Sequence, residues 1–348
     1  MKAHKSELIK EIEKIVKSEG KYTFAMILKK ANEMGYDDPR EVKEIAEYTF
    51  VELARGLVLN FPTSQKTKYD MLVAAYKRQA GLNLRTSTSI LLQQYSTPIP
   101  FGYLMGLYCG VNKPKPEDRF FEPSAGNGAL TVAGEARLFT VNEIDDLRAD
   151  NLKYKGKYAA VYSVDGSKNF AITTPLQNYS FDAVISNPPF AKLNPEDYEE
   201  FGGYTLKDLD HVMACQALNM MKDNGKAAII VGGHTQWDDK GRIQKGKNLS
   251  FLSYLYKHYN VEDIVLVNGD LYSKMGTSFD VRIILINGRS YDPNRYAPNK
   301  IATNANVVQT FDELYQRFLP FISHSEASNA QAQRIRLLSL KYKFSTKS

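Results

Sequence analysis

Cysteine is nearly absent. Cys109 and Cys215 are the only two in 348 residues, and neither sits in a Cys-x-x-Cys pair or a Cys/His cluster. That argues against a disulfide framework and a structural zinc site, and a reducing cytoplasm fits best. Long apolar runs are missing too. Runs such as Ala227 to Val231 fall far short of the roughly 20 residues a membrane-spanning helix needs. Met1 to Lys14 mixes lysine and glutamate without an apolar stretch, so no secretory leader is expected there. Neither sign of charge dominates. Lys plus Arg number 45 against 39 Asp plus Glu, and the net +6 permits a polyanionic partner without requiring one. The phosphate-loop pattern G-x-x-x-x-G-K-[ST] is absent, as is the dinucleotide fingerprint G-x-G-x-x-G. What remains is ordinary globular material. Its 43% hydrophobic and 24% charged residues can build a real core in two domains, or in one large domain with an extension.

Residues 1–90 read as helical. Leu8, Ile12, Ile15 and Glu19 share a face, with Ile9 and Val16 beside it, and Gly20 can end that helix. Thr23 caps a second helix running to about Gly35. Asp38, Pro39 and Glu41 combine a cap residue, a proline at the first helical position and an acid three after the cap. That third helix runs toward Leu59 and stops at Asn60 and Pro62. A fourth is expected over Lys68 to Ala80. The region serves either as a helical cover or in direct contact with nucleic acid.

From about residue 118 short β-rich runs alternate with helical spans. The runs are Phe120–Phe121, Leu138–Val141, Ala159–Val164, Phe181–Ser186, Ala227–Val231, Ile264–Val267 and Phe279–Ile286. This alternation predicts a doubly wound, mostly parallel α/β sheet. Little chain lies between Val267 and Phe279 for a helical crossover, so an antiparallel edge strand is expected. After Arg289 the chain turns loop-like. A helix is expected over Thr310–Phe318, with a basic closing segment over Arg334 to Lys347.

The segment Phe120 to Leu130, FFEPSAGNGAL, puts Gly126 and Gly128 in a strand-to-helix turn, where glycine allows close backbone approach by a ligand. Glu122 stands just before that turn. It would repel phosphates and suit a cationic amino group. Glu143 ends the second run, where a carboxylate can accept from two ribose hydroxyls, and Asp165 ends the third. Acids at three successive strand ends lie where open α/β sheets bind ligands.

Phe181 to Phe190, FDAVISNPPF, is the most informative stretch. Pro188 and Pro189 stiffen the loop that presents Asn187, and Pro188 pushes Asn187 out of the helical region. The Asn187 side-chain carbonyl and the Pro188 carbonyl can both accept from one exocyclic amine. Phe190 offers a flat face for a base. Two carbonyls aimed at one amine hold its lone pair toward an electrophile, and a sulfonium methyl needs no strong base first.

Taken together, Gln94-Tyr95-Ser96-Thr97-Pro98, the loop Glu122–Gly128, Asn142-Glu143-Ile144-Asp145, Asp165 and Asn187–Phe190 resemble the S-adenosylmethionine-dependent adenine-N6 DNA methyltransferases. The order matches the gamma group, which includes many restriction-modification and phage enzymes. The resemblance spans roughly residues 90–289. It implies a Rossmann-like class I methyltransferase sheet of seven strands in a domain over 91–289, with an N-terminal helical region over 1–90 and a short C-terminal extension over 290–348. It implies S-adenosylmethionine as cofactor and no metal. Tyr95, Thr97 and Pro98 would line the methionine end. Glu122 would lie near the methionine amine, with Ser124, Gly126 and Gly128 along the cofactor. Glu143 would hold the ribose, Ile144 would pack on the adenine ring, and Asp165 would accept from the cofactor's adenine amine. Asn187, Pro188, Pro189 and Phe190 would form the catalytic segment that holds and stacks a target adenine flipped out of DNA.

Weaker features follow. His211 reads as helix surface or local packing. Trp237, Lys240, Arg242, Lys245 and Lys247 form a basic, glycine-containing loop able to meet DNA phosphates, or simply a solvated loop. Tyr272, Lys274, Gly276, Thr277 and Ser278 are candidates for the target-base side by position alone. Residues 289–348 are too few for a large recognition domain. Recognition then falls to the helical N-terminus or to a separate specificity or helicase partner, unless site preference is relaxed. Segments like Asn-Pro-Pro-Phe also serve enzymes acting on RNA base amines or a protein glutamine amide, and a further alternative is a catalytically silent methyltransferase-fold recognition subunit. The Tyr-Ser-Thr-Pro motif and the long N-terminal part favour DNA.

Overall fold

Side chains that accept the first free amides set the helix starts. Thr23 accepts from Met26 N at 3.3 Å, Asp38 from Arg40 N at 2.8 Å and Ser64 from Thr67 N at 3.1 Å. The helices that follow them are α2 (Phe24–Glu33), α3 (Pro39–Asn60) and α4 (Gln65–Arg78), after α1 (Lys5–Lys17). The computed structural model describes residues 3–18, 22–81, 96–238, 240–243, 246–275, 278–290, 292–297 and 306–322. The expected end of the first helix at Gly20 and the basic closing segment fall outside these residues. On α1 the inward stripe buries Leu8 and Ile12.

The strands are β1 (Phe120–Glu122), β2 (Phe139–Asn142), β3 (Ala160–Tyr162), β4 (Phe181–Ser186), β5 (Glu199–Phe201), β6 (Tyr204–Leu206), β7 (Met221–Gly232), β8 (Tyr259–Val267) and β9 (Val281–Arg289). Seven of them make one sheet in the order β3-β2-β1-β4-β7-β9-β8. Pairs from β3 through β7 are parallel. The β7–β9 and β8–β9 pairs are antiparallel, because β9 returns between β7 and β8. This is the Rossmann-like, mostly parallel seven-stranded sheet expected from the sequence, with its antiparallel edge.

Both faces of the sheet are covered, and the strand residues divide between two cores by alternation. Ala183, Ile185, Ala228, Ile230, Ile283 and Leu285 face one core, which also holds α1 to α4, α5 (Ile99–Tyr108) and the helix over 311–322. Val184, Ala227, Ile229, Val231, Ile284 and Ile286 face the other, built with α7 (Leu209–Asn219) and α8 (Lys247–His258). Helix α6 (Asp146–Lys153) follows β2, and a single helical turn over Phe170–Thr173 precedes β4. On α5, a Cβ at Gly102 would meet the Ala129 carbonyl oxygen at 2.1 Å, so glycine there lets the helix lie directly on the segment after the glycine loop.

Two features depart from the sequence reading. The β5–β6 hairpin was not expected, although Gly202-Gly203 is a hairpin-turn signal. Strand β7 begins at Met221, ahead of the expected Ala227. Its pairing with β4 jumps from Phe181↔Met221 to Ala183↔Lys226, so the Asn224-Gly225 turn sits as a bulge inside the strand.

Candidate active site

In the sheet order, β1 lies between β2 and β4, so successive connections leave it in opposite directions. Open α/β sheets bind ligands at such a switch point, outside the carboxyl ends of the strands. A cleft of about 430 Å³ opens there. The turn after β1 contributes Pro123 to Asn127, and the end of β2 contributes Asn142, Glu143 and Ile144. From the end of β3 come Val164 to Lys168, and from the segment after β4 come Asn187 and Pro189. Ser96 and Thr97 close one wall, and Asp197 and Glu199 stand on the hairpin side.

Backbone amides hold the acids in place. Glu143 accepts from Gly126 N at 2.7 Å through Oε2 and from Asp145 N at 2.8 Å through Oε1. A carboxylate oxygen can accept twice, so each keeps a place for a ligand hydroxyl. Burial pushes the Glu143 carboxyl up, against the pull of the Arg148 guanidinium. Asp165 is exposed, and its Oδ1 accepts from Ser167 N (2.9 Å) and Ser167 Oγ (2.8 Å). Asn142 ties the loops together. Its Nδ2 donates to the Pro123 and Val164 carbonyls (3.1 and 3.0 Å), and its Oδ1 accepts from Val164 N at 2.9 Å. Gly128 has φ +89°, and a Cβ there would meet the Tyr158 hydroxyl at 2.3 Å, so only glycine fits this turn. Ser124 lines the cleft beside Ser186 (Oγ···Oγ 3.4 Å).

Asn187 is the distinctive group. Its Nδ2 donates to Thr97 Oγ1 at 2.8 Å, which fixes the amide plane. Its Oδ1 is buried with no hydrogen-bond partner among the described residues. An orphaned acceptor at a cleft wall marks a place for a donor that the protein itself does not supply. Pro188 is buried, Pro189 lines the cleft and Phe190 is half-buried. Phe190 rests against Gly232 at the end of β7, where a Cβ would approach its ring to 3.2 Å.

Most of the expected residues converge: Thr97, Ser124, Gly126, Glu143, Ile144, Asp165, Asn187 and Pro189 all line the one cleft. Pro98 caps α5 directly after Thr97. Glu122 is fully buried and is not among the cleft-lining side chains. Burial pushes its carboxyl well above the ordinary range, and its Oε2 has no partner among the described residues. Tyr95 and Lys245 lie outside the described residues, as do Gly276 and Thr277. Tyr272 is core, packed edge-on against Phe101 with centroids 5.1 Å apart, so its candidacy for the base pocket is withdrawn. His211 is not helix surface. It stacks on Phe251 at 4.0 Å, and burial holds its imidazole neutral. In the basic loop, Arg242 is held by Asp238 (2.8 Å) and Lys247 by Asp208 (2.7 Å), while Trp237 is half-buried against the second core. Lys240 is exposed.

Sequence reasoning missed the contribution of α3. Glu47 lines the cleft from that helix. One turn earlier, Glu44 Oε2 accepts from Arg148 Nε at 2.9 Å and from Asn127 Nδ2 at 2.7 Å. Arg55 donates to the Thr131 and Gly134 carbonyls at 2.7 and 3.1 Å. Helix α3 thus clamps the glycine loop. Arg40, Glu41, Lys43 and Glu52 stand on the same helix, so the sequence alone did not single out Glu44, Glu47 and Arg55.

No protein-family profile matches the chain, and no curated protein sequence matches it. Among solved structures, the chain is similar to a protein assigned as a modification subunit of a type I restriction enzyme from Vibrio vulnificus. That match has 14% identity over 90% of this chain and 69% of the other, with a TM-score of 0.48. It is also similar to a protein from Listeria monocytogenes assigned as a class I S-adenosylmethionine-dependent methyltransferase (14%, 92% and 97%, TM-score 0.45). A third is the M protein of the type I restriction enzyme EcoKI (14%, 87% and 71%, TM-score 0.41). Likeness at this level carries nothing about substrate.

The residues present fit S-adenosylmethionine. Glu143 offers ribose acceptors, Asn187 Oδ1 is an orphaned acceptor at the wall, and Ile144 is an apolar shelf 55% exposed in the cleft. Because Ile144 is so exposed, Ile144→Ala should leave the thermal midpoint unchanged while weakening cofactor binding about 5- to 10-fold. The equally simple Ile172→Ala, outside the cleft and 82% exposed, should change neither. Equilibrium binding and thermal melts of the two variants check this.

Proposed function

We propose that the protein transfers a methyl group from S-adenosylmethionine to the N6 amine of an adenine flipped out of DNA. The observation that carries this reading is Asn187, with its nitrogen tethered to Thr97 and its carbonyl oxygen buried and unpartnered. A planar exocyclic amine supplies the missing donor. Asn187 Oδ1 takes one N–H and the Pro188 carbonyl takes the other, which leaves the nitrogen lone pair perpendicular to the base and aimed into the cleft. Phe190, braced against Gly232, offers its ring to the base. The bound cofactor supplies an electrophilic sulfonium methyl. As the N–C bond forms and the S–C bond breaks, the amine loses one proton to solvent. Asn187 and Pro188 need only orient that amine. Glu143 would hold the ribose, Ile144 the cofactor's adenine ring and Asp165 its amine. Phosphate contacts would come from Lys240 and from Lys247 and Arg242 once their carboxylate partners are exchanged.

The test is label transfer from methyl-labelled S-adenosylmethionine to a panel of single- and double-stranded DNA, RNA and glutamine-containing protein. Label is expected on DNA. Transfer to RNA or protein with none to DNA would move the reading to an RNA base amine or a glutamine amide.

A further inference from the structure

The deep end of the cleft carries more carboxyl groups than cations. Glu44, Glu47, Glu122 and Glu143 are all buried there or next to it, against Arg148 and Lys43. Glu44 takes both cations: Arg148 at 2.9 Å on one oxygen and Lys43 at 3.3 Å on the other. Glu47 stands one turn further along the same face of α3, 5% exposed. Ser96 lines the same cleft, and the Arg148 and Lys43 charges act on Glu47 only through space. Burial and the Glu44 charge push its carboxyl up, the state of an acid that lacks a close cation. Ser96 leads to Thr97, and Thr97 holds Asn187. One wall therefore runs from Glu47 to the group that orients the target amine.

Resting on the reading above, the methionine portion of the cofactor has to lie along this wall, because its sulfonium must face Asn187. Glu122, the acid implied for the methionine amine by the family resemblance, does not line the cleft. We infer that Glu47, carried in from the N-terminal helical region, is the counter-ion for the α-ammonium group of the cofactor's amino-acid portion. The helical region then belongs to the cofactor site, and cofactor occupancy is coupled to how α3 seats on the glycine loop.

Binding to the full chain separates this role from a merely structural one. Three ligands are titrated: S-adenosylmethionine and S-adenosylhomocysteine, which carry the amine, and 5′-methylthioadenosine, which lacks the amino-acid portion. Glu47→Gln should weaken the first two about 10- to 100-fold and leave the third within about twofold. Glu47→Asp, which keeps the charge, should lose less. Glu13→Gln, on α1 and paired with solvent-exposed Lys17, should change none of the three. Equal loss for all three ligands, or no loss for the amine-bearing pair, overturns the assignment. Should Glu47→Gln fail to fold, the same comparison is read from Glu47→Asp, where an equal change across the three ligands is the contrary result. Wild-type protein that binds none of the three would instead overturn the cofactor reading itself, so the two failures are distinguishable.

Discussion

Asn187→Ala is expected to lower the rate constant for methyl transfer by about 100- to 1,000-fold while cofactor affinity stays within about threefold. The side chain contributes two things. Its nitrogen is tied to Thr97, and its unpartnered oxygen is the acceptor proposed for the incoming amine. Alanine removes the acceptor and leaves the Pro188–Pro189 scaffold in place. The cofactor wall keeps Glu143, Ile144 and the glycine loop, so ground-state binding should survive. Single-turnover kinetics with saturating cofactor, alongside equilibrium cofactor binding, reads the two quantities separately. A matching loss in cofactor affinity would mean that Asn187 shapes the cleft and does not orient the amine. Thr97→Val offers a milder version, because it frees the amide to rotate while leaving the acceptor present.

The second large effect concerns stability. Glu44→Ala should destabilise the protein by about 3–5 kcal/mol, since it strands a buried guanidinium and the Asn127 amide together. Glu11, whose partner Lys14 is solvent-exposed, is the control, and Glu11→Ala should leave the urea midpoint unmoved. Acid pH gives the sign. Burial pushes the Glu44 carboxyl up, but Arg148 and Lys43 outweigh it and hold it down at about 2. A carboxyl depressed in the folded state adds stability that is fully present above its ordinary value of 4.5 and is lost as pH falls through about 2. The gap between wild type and Glu44→Ala should therefore narrow as pH drops from 5 toward 2. A gap independent of pH would contradict the ion-pair account.

The sheet was legible in the sequence because it is covered on both faces. Strands such as Ala227–Val231 become continuous apolar runs, and caps such as Asp38-Pro39 announce the helices. The cleft was legible for a local reason. The glycine loop, Glu143 and the Asn-Pro-Pro segment each sit at a strand end, so neighbours in the sheet become neighbours in the cleft. The contribution of α3 was hidden because it depends on contacts across long sequence separations. Glu44 reaches Asn127 and Arg148, and nothing in the local pattern of a helix names its distant partner. The placement of Glu122 was hidden for a related reason. A strand-end acid reads as a ligand group, but here β1 is three residues long and central, and its last side chain points into the protein interior. The β5–β6 hairpin was missed because its triplets are too short for periodicity to register.

We propose N6 of adenine in DNA as the amine that Asn187 orients. The most direct test is nucleoside analysis by mass spectrometry of duplex DNA incubated with the full chain and methyl-labelled S-adenosylmethionine. The label should appear in N6-methyldeoxyadenosine and disappear with Asn187→Ala. Label on cytosine or a ring nitrogen, or none in DNA while RNA or protein is labelled, would contradict it.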